Sequence, residues 1–313
     1  MDWAKEFNLR VKTLTARLDR GWSFEKALEA PIEHHATPEE MAERHAALYA
    51  ICEEQKPITV RGVFYQAEVN LPQWYSKDSY GTVKADLVKM RKGLYQGPRL
   101  PYDWIVDNTR RVIKPNAFDD VSDALLALAR AYNVDLWSKD KMNCLVQVWL
   151  EKDALSNVLE PVTRDYGVPL MVARGYSSLS FLNEQAALIE DEDRPVFIYL
   201  LGDADTYGED AHDNIEEQLR EMAPNVDFTF ERLAVTKDQI RDWKLPKRLT
   251  DQTKKRNEDY GKTATELDAI SPVRLRQLVE DAINKHMTKA KRNKLRKNEE
   301  RDRNRIMDLA RAN

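Results

Sequence analysis

Residues 195–205 read Pro-Val-Phe-Ile-Tyr-Leu-Leu-Gly-Asp-Ala-Asp. Six apolar residues in a row stop at a glycine and two aspartates spaced two apart. The run is too short for a helix and too apolar for a half-exposed strand, so it reads as a strand buried on both faces. A second run, Leu-Val-Gln-Val-Trp-Leu at 145–150, ends directly on Glu151. Two further strands are expected at 168–173 and 226–235. Helical patterns fill the gaps: one after residue 151, then 177–189 and 209–222. Strands alternating with helices define an α/β fold with a mainly parallel sheet, α+β when the helical first half is included.

Ligands of such sheets bind beyond the carboxyl ends of the strands. Glu151, Asp203 and Asp205 stand there. Residues two apart in an extended stretch point the same way, so Asp203 and Asp205 can converge. Glu151 joins them if the strands at 145–150 and 195–202 are neighbours. Three carboxylates together resist ionising unless a cation shares the site. Mg²⁺, with Mn²⁺ as substitute, is the expected ion, because it is hard and takes oxygen ligands. The alternative for any single acid here is a helix cap or a solvated loop residue.

The first half is helical. Val11, Leu14 and Leu18 have helical spacing within the first 30 residues, and 31–38 reads as a break. Thr37-Pro38-Glu39-Glu40 is a helix start, with threonine as N-cap and proline in the first turn. That helix runs to about Glu54, and Lys56-Pro57 ends it. Thr59 caps a short helix, a turn covers 71–78, and 79–93 forms a third helix carrying Lys84, Lys89, Arg91 and Lys92. A β-like stretch around 102–106 follows. Three short helices and an extended wing form a winged-helix pattern, with the basic third helix offered to double-stranded DNA. A connector helix is expected at 119–132.

Composition bounds the reading. The 313 residues carry a net charge of −4 and 42% hydrophobic content. That is enough for two domains and a sizeable core. No apolar run reaches the roughly 20 residues of a membrane span. Two cysteines, Cys52 and Cys144, make no disulfide framework, which points to a reducing, cytoplasmic setting. Residues 285–313 hold eleven basic and four acidic side chains, and residues 84–111 hold seven and three. Basic segments on an acidic body suit nucleic-acid phosphates and a nucleoid association; a solvated helix face or a flexible tail is the alternative for the terminus.

Several motifs together resemble a known family. Glu151-Lys152-Asp153 follows the first strand, Arg174-Gly175-Tyr176 the second, and Asp203-x-Asp205-x-Tyr207-Gly208 the third. This resembles the Toprim domain of the topoisomerase VI A subunit and of the meiotic double-strand-break transesterases. The resemblance implies that Glu151, Asp203 and Asp205 hold Mg²⁺. It also implies a nucleophilic tyrosine in an Arg-x-x-aromatic-Tyr motif on a preceding winged-helix domain. Arg61-Gly62-Val63-Phe64-Tyr65 matches, making Tyr65 the nucleophile and Arg61 its phosphate-neutralising partner. The two lie one helical turn apart. Tyr75 and Tyr80 lack that context.

By the same resemblance, residues 1–36 are a helical extension and 37–115 the winged-helix domain. Residues 116–143 are a connector, 144–284 the Toprim domain with its extension, and 285–313 a basic tail. Size and the segment Glu266-Leu267-Asp268-Ala269 look most like the compact mini-A topoisomerases of phages and mobile elements. The family implies a homodimer in which Tyr65 of one subunit works with the acids of the other. It also implies a separate GHKL-type ATPase subunit for strand passage, since no glycine-rich P-loop stands in this sequence. The expected function is Mg²⁺-dependent DNA double-strand cleavage through a phosphotyrosine link. The alternatives are a Toprim nuclease that uses water and a DNA-binding protein without turnover. His34-His35 is expected at the surface.

Overall fold

The structure, a computed structural model, describes residues 14–15, 18–19, 21, 23–29, 37–106, 115, 117–173, 179–249 and 263–312. Two compact units are present, Met1–Arg44 and His45–Asn313. In the first, Leu14, Thr15, Leu18 and Asp19 are helical, followed by α1 (Phe24–Glu29) and the opening of α2 (Pro38–Gln55). Thr37 and Glu40 close a reciprocal cap: Glu40 N–H donates to Thr37 Oγ1 at 3.2 Å and Thr37 N–H to Glu40 Oε2 at 2.8 Å. Val11 and the His34-His35 pair lie outside the described residues.

In the second unit, α3 (Val60–Asn70) and α4 (Tyr80–Lys92) pack with the rest of α2. Thr59 caps α3 as the sequence predicts, its Oγ1 accepting from Gly62 N–H at 2.9 Å. Gly93 ends α4 at φ 70°, a left-handed conformation that glycine takes without strain. Leu48, Cys52, Val63, Phe64, Val83, Leu87 and Met90 form the core between these helices. Each fully buried aliphatic side chain contributes roughly 1.5–3 kcal/mol over exposure. A polar group crosses this core: Tyr75 Oη donates to Asp86 Oδ2 at 2.9 Å, and His45 Nε2 lies 3.3 Å from Asp86 Oδ1.

The wing differs from the expectation. Tyr102–Trp104 is a 3-10 turn, and Ile105 makes a single parallel bridge to Ile58. The reason is local. Arg91 Nη2 donates to the carbonyls of Tyr102 (3.0 Å) and Ile105 (2.8 Å), drawing both toward α4 and away from a ladder.

After α5 (Val121–Ala131) comes the sheet: β1 (Leu145–Leu150), α6 (Ser156–Tyr166), β2 (Leu170–Val172), α7 (Leu179–Glu190), β3 (Val196–Leu201), α8 (Thr206–Met222) and β4 (Phe228–Ala234). The order is β2-β1-β3-β4, and every pairing is parallel. Residue alternation decides which face each strand feeds. Val146, Val148, Leu150, Tyr199 and Leu201 pack with α6 and α10 (Pro272–Asn284), whereas Trp149, Ile198 and Leu200 pack with α7 and α8. Both faces are covered, which is why these strands read as continuous apolar runs. Buried Gln147 is satisfied by Trp149 Nε1–H, which donates to its Oε1 at 2.9 Å. β2 is shorter than expected because Val168 N–H donates to Thr163 O at 2.8 Å, closing the end of α6.

α9 (Lys237–Asp242), the small hairpin β5 (Arg248–Leu249) and β6 (Thr263–Ala264), and the 3-10 turn Leu267–Ala269 complete the unit with α11 (Lys289–Ala312). The basic terminus is thus a helix packed on α5, not a loose tail. Arg296 donates to the carbonyls of Arg164 (2.8 Å) and Asp165 (3.0 Å) at the end of α6, and Arg303 to that of Tyr132 (2.8 Å). Buried Glu299 joins both arginines and accepts from Val134 N–H at 2.9 Å. No described helix is long and apolar enough to cross a membrane.

Candidate functional site

The sheet register sets the acids. Leu150 pairs with Leu201, so Glu151 and Gly202 leave the sheet side by side. Glu151 N–H donates to Leu201 O at 2.9 Å, and Glu151 Oε2 accepts from Asp203 N–H at 3.1 Å. A Cβ on Gly202 would sit 2.6 Å from Glu151 Oε2, so a larger residue there would push that carboxylate aside. Beyond it, Ala204 bridges to Thr265 through 2.9 and 3.0 Å hydrogen bonds. That bridge fixes Ala204 between the two aspartates, and Asp205 stands at the bend that leads into α8. Asp203 Oδ1 accepts from Leu267 N–H at 2.7 Å, and Arg232 donates to the Asp203 carbonyl.

The charges are mutually strained. Burial pushes the Glu151 carboxyl above its ordinary range, and the charges of Asp203 and Asp205 add to the push. Asp203 is also raised by burial, against the pull of Lys152. Lys152 is the local counter-charge. Its Nζ lies 2.7 Å from Asp268 Oδ2, 3.1 Å from Glu266 Oε2 and 3.6 Å from Asp203 Oδ2. Burial alone would lower its pKa; Asp203, Asp268 and Glu266 overcome that and hold it above the usual lysine range. Among the described residues, no three His, Cys, Asp or Glu side chains form a ready cage for a metal ion. The donor set is nonetheless all carboxylate oxygen, and an ammonium already stands against Asp203 as a cation would. Glu151, Asp203 and Asp205 have the oxygen chemistry a hard divalent ion takes, but as they stand they do not close around one, and the cation against Asp203 is Lys152.

α3 brings the tyrosine. Arg61, half exposed, donates from Nη1 to Glu266 Oε2 at 2.6 Å. Tyr65, one turn on, is only 2% exposed and lies in the helical core against Phe64. Arg248 of β5 covers its ring at 5.0 Å and pairs with Glu68 of α3. Burial pushes the Tyr65 hydroxyl up to about 12; the Glu266 charge adds to this and Arg248 opposes it. Glu266 itself stays below the usual carboxylate range because Lys152 and Arg61 outweigh its burial. Asp203, Lys152, Glu266, Asp268 and Arg61 thus belong to one ion-pair cluster, with Tyr65 one helical turn beyond Arg61.

The expected DNA-binding residues divide. Lys84 and Lys92 are exposed on α4, Lys89 is partly so, and Arg91 is spent on the 102–105 turn. A cavity of about 440 Å³ lies beside them, lined by Thr59, Arg61, Tyr80, Arg91, Lys152 and Asp268 among others. Tyr75 is buried on Asp86. Arg174, Gly175 and Tyr176 lie outside the described residues, and Tyr207 and Gly208 fall in the first turn of α8.

Sequence reasoning missed the roles of Lys152, Glu266, Asp268, Arg232 and Arg248. Glu266 and Asp268 were legible as a second pair of acids two apart. Nothing in the sequence marks Arg232 or Arg248, which reach the site from β4 and from the small hairpin. No family model matches the chain, and searches of curated proteins and of solved structures find no match either.

Proposed function

We propose that this chain cleaves double-stranded DNA by transesterification, in the manner of a type IIB topoisomerase A subunit, with Tyr65 as nucleophile. One observation carries the reading: Asp203 at the end of β3 pairs with Lys152, Lys152 with Glu266, and Glu266 with Arg61 on α3, one turn before Tyr65. Tyr65 Oη would form the new bond to phosphorus while the phosphorus–deoxyribose oxygen bond breaks. Arg61 would neutralise the phosphate charge, as positioned cations do in phosphoryl transfer. A divalent ion held by Glu151, Asp203 and Asp205 would supply Lewis-acid polarisation of a phosphoryl oxygen. Helices α2 to α4 would serve as the winged-helix DNA reader and the parallel sheet as the Toprim domain. A duplex cut needs two tyrosines, hence a homodimer, and ATP-driven strand passage would need a separate ATPase subunit.

A second reading is favoured by the burial of Tyr65. A tyrosine at 2% exposure with a raised pKa is a poor nucleophile as it stands, and a water attacking beside the acids would make the chain a nuclease. Supercoiled plasmid with Mg²⁺ or Mn²⁺, stopped with detergent and run with and without protease, separates the two. Protein-linked breaks that vanish in Tyr65→Phe are the expected result. Breaks with free ends that persist in Tyr65→Phe would establish the nuclease. Intact plasmid under every metal, with DNA binding retained, would leave a binding protein.

A further inference from the structure

Lys152 is the residue whose surroundings exceed what the proposed cleavage needs. Its ammonium is three-quarters buried and faces three carboxylates at once. Two of these contacts are short, 2.7 Å to Asp268 and 3.1 Å to Glu266. Asp268 is itself buried and fixed from the other side by Thr59 Oγ1, which donates to its Oδ1 at 3.0 Å. The third contact, 3.6 Å to Asp203 Oδ2, is the longest and electrostatically the weakest. Asp203 meanwhile keeps its other oxygen on Leu267 N–H, so its carboxylate stays oriented whether or not Lys152 is there.

We infer that Lys152 is a resident counter-ion of the acidic site: it neutralises Asp203 in the metal-free protein and competes with a divalent cation for that carboxylate. Asp268 and Glu266 are its holding points. They keep the ammonium at the edge of the site when Asp203 is handed over, so the exchange requires no charge to leave the cluster. The wild-type chain therefore binds metal more weakly than its carboxylates alone would. The inference rests on the metal reading of Glu151, Asp203 and Asp205.

Binding of Mn²⁺ alone to the full chain, measured by electron paramagnetic resonance of the free ion, tests it. Lys152→Met keeps the length of the side chain and removes the charge. It also strands the buried Asp268 carboxylate, so Lys152→Met/Asp268→Asn is measured beside it. That double variant removes both charges of the pair and retains an acceptor for Thr59. The folded variants are expected to bind Mn²⁺ roughly tenfold more tightly than wild type, with unchanged stoichiometry. Equal or weaker binding would overturn the role of Lys152 while leaving the metal reading standing. No binding by any of the three, or binding unchanged in Asp203→Asn, would overturn the metal reading and this inference with it.

Discussion

At the residue scale, the strain among the acids has a measurable sign. The folded-state pKa of Glu151 lies above its ordinary value, so the folded protein holds a proton more tightly than the unfolded chain. Stability then falls as pH rises through the interval above 4.5. Glu151→Gln removes that cost and keeps an acceptor for Asp203 N–H. The metal-free variant should therefore unfold at a higher urea concentration than wild type at pH 7. Loss of stability instead would mean that the carboxylate charge is well compensated. Tyr65 titrates in the opposite range with the same sign. Its hydroxyl keeps its proton up to about 12 against an ordinary 10, so wild-type stability should fall as pH rises above 10. In Tyr65→Phe that component of the fall should be absent from melting curves taken between pH 9 and 11, and parallel curves for the two proteins would contradict the raised pKa.

At the element scale, strands and caps were the legible part. The run at 145–150 is β1 unchanged and that at 195–202 is β3 less one residue at each end, because burial on both faces leaves an uninterrupted pattern. Thr37 and Thr59 marked their helices because a hydroxyl just before an apolar segment satisfies its first N–H groups. The wing differs because its fate lies with Arg91, eleven to fourteen residues away and on another element. The same limit hid Arg248, whose position over Tyr65 depends on a two-stranded hairpin too short to leave a periodic pattern. Buried polar groups were equally hard to foresee. Asp86 sits in a helix pattern like any surface acid, yet with His45 it is 2% exposed by side chain. Asp86→Ala would leave the buried Tyr75 Oη without its acceptor and remove the carboxylate beside His45, and should cost about 1–3 kcal/mol of stability. A change under 1 kcal/mol in denaturant midpoint analysis would mean that the cavity had taken up water in its place, roughly matching the lost bonds.

At the scale of the whole molecule, the uneven charge acquires a direction. Arg292, Arg296 and Arg303 are turned inward on the ends of α5 and α6, which removes them from any DNA surface. Lys294, Lys297, Arg301 and Arg305 remain exposed at helical spacing along α11. Replacing those four with glutamine should lower the slope of log affinity against log salt by about 3–4, since each neutralised phosphate contributes about 0.9. An unchanged slope would exclude α11 as a phosphate-binding surface, with α4 the next to test. A different consequence follows from the turn at Leu267–Ala269, whose Ala269 belongs to the helical core while Leu267 packs under the sheet. A segment some 200 residues downstream of α3 completes the wall around Tyr65. Such long-range closure comes late in folding. On the ribosome, a chain with its helices and first strands already made would still lack Glu266. The proposed DNA-breaking competence would then be withheld from every nascent or truncated chain that stops short of that turn.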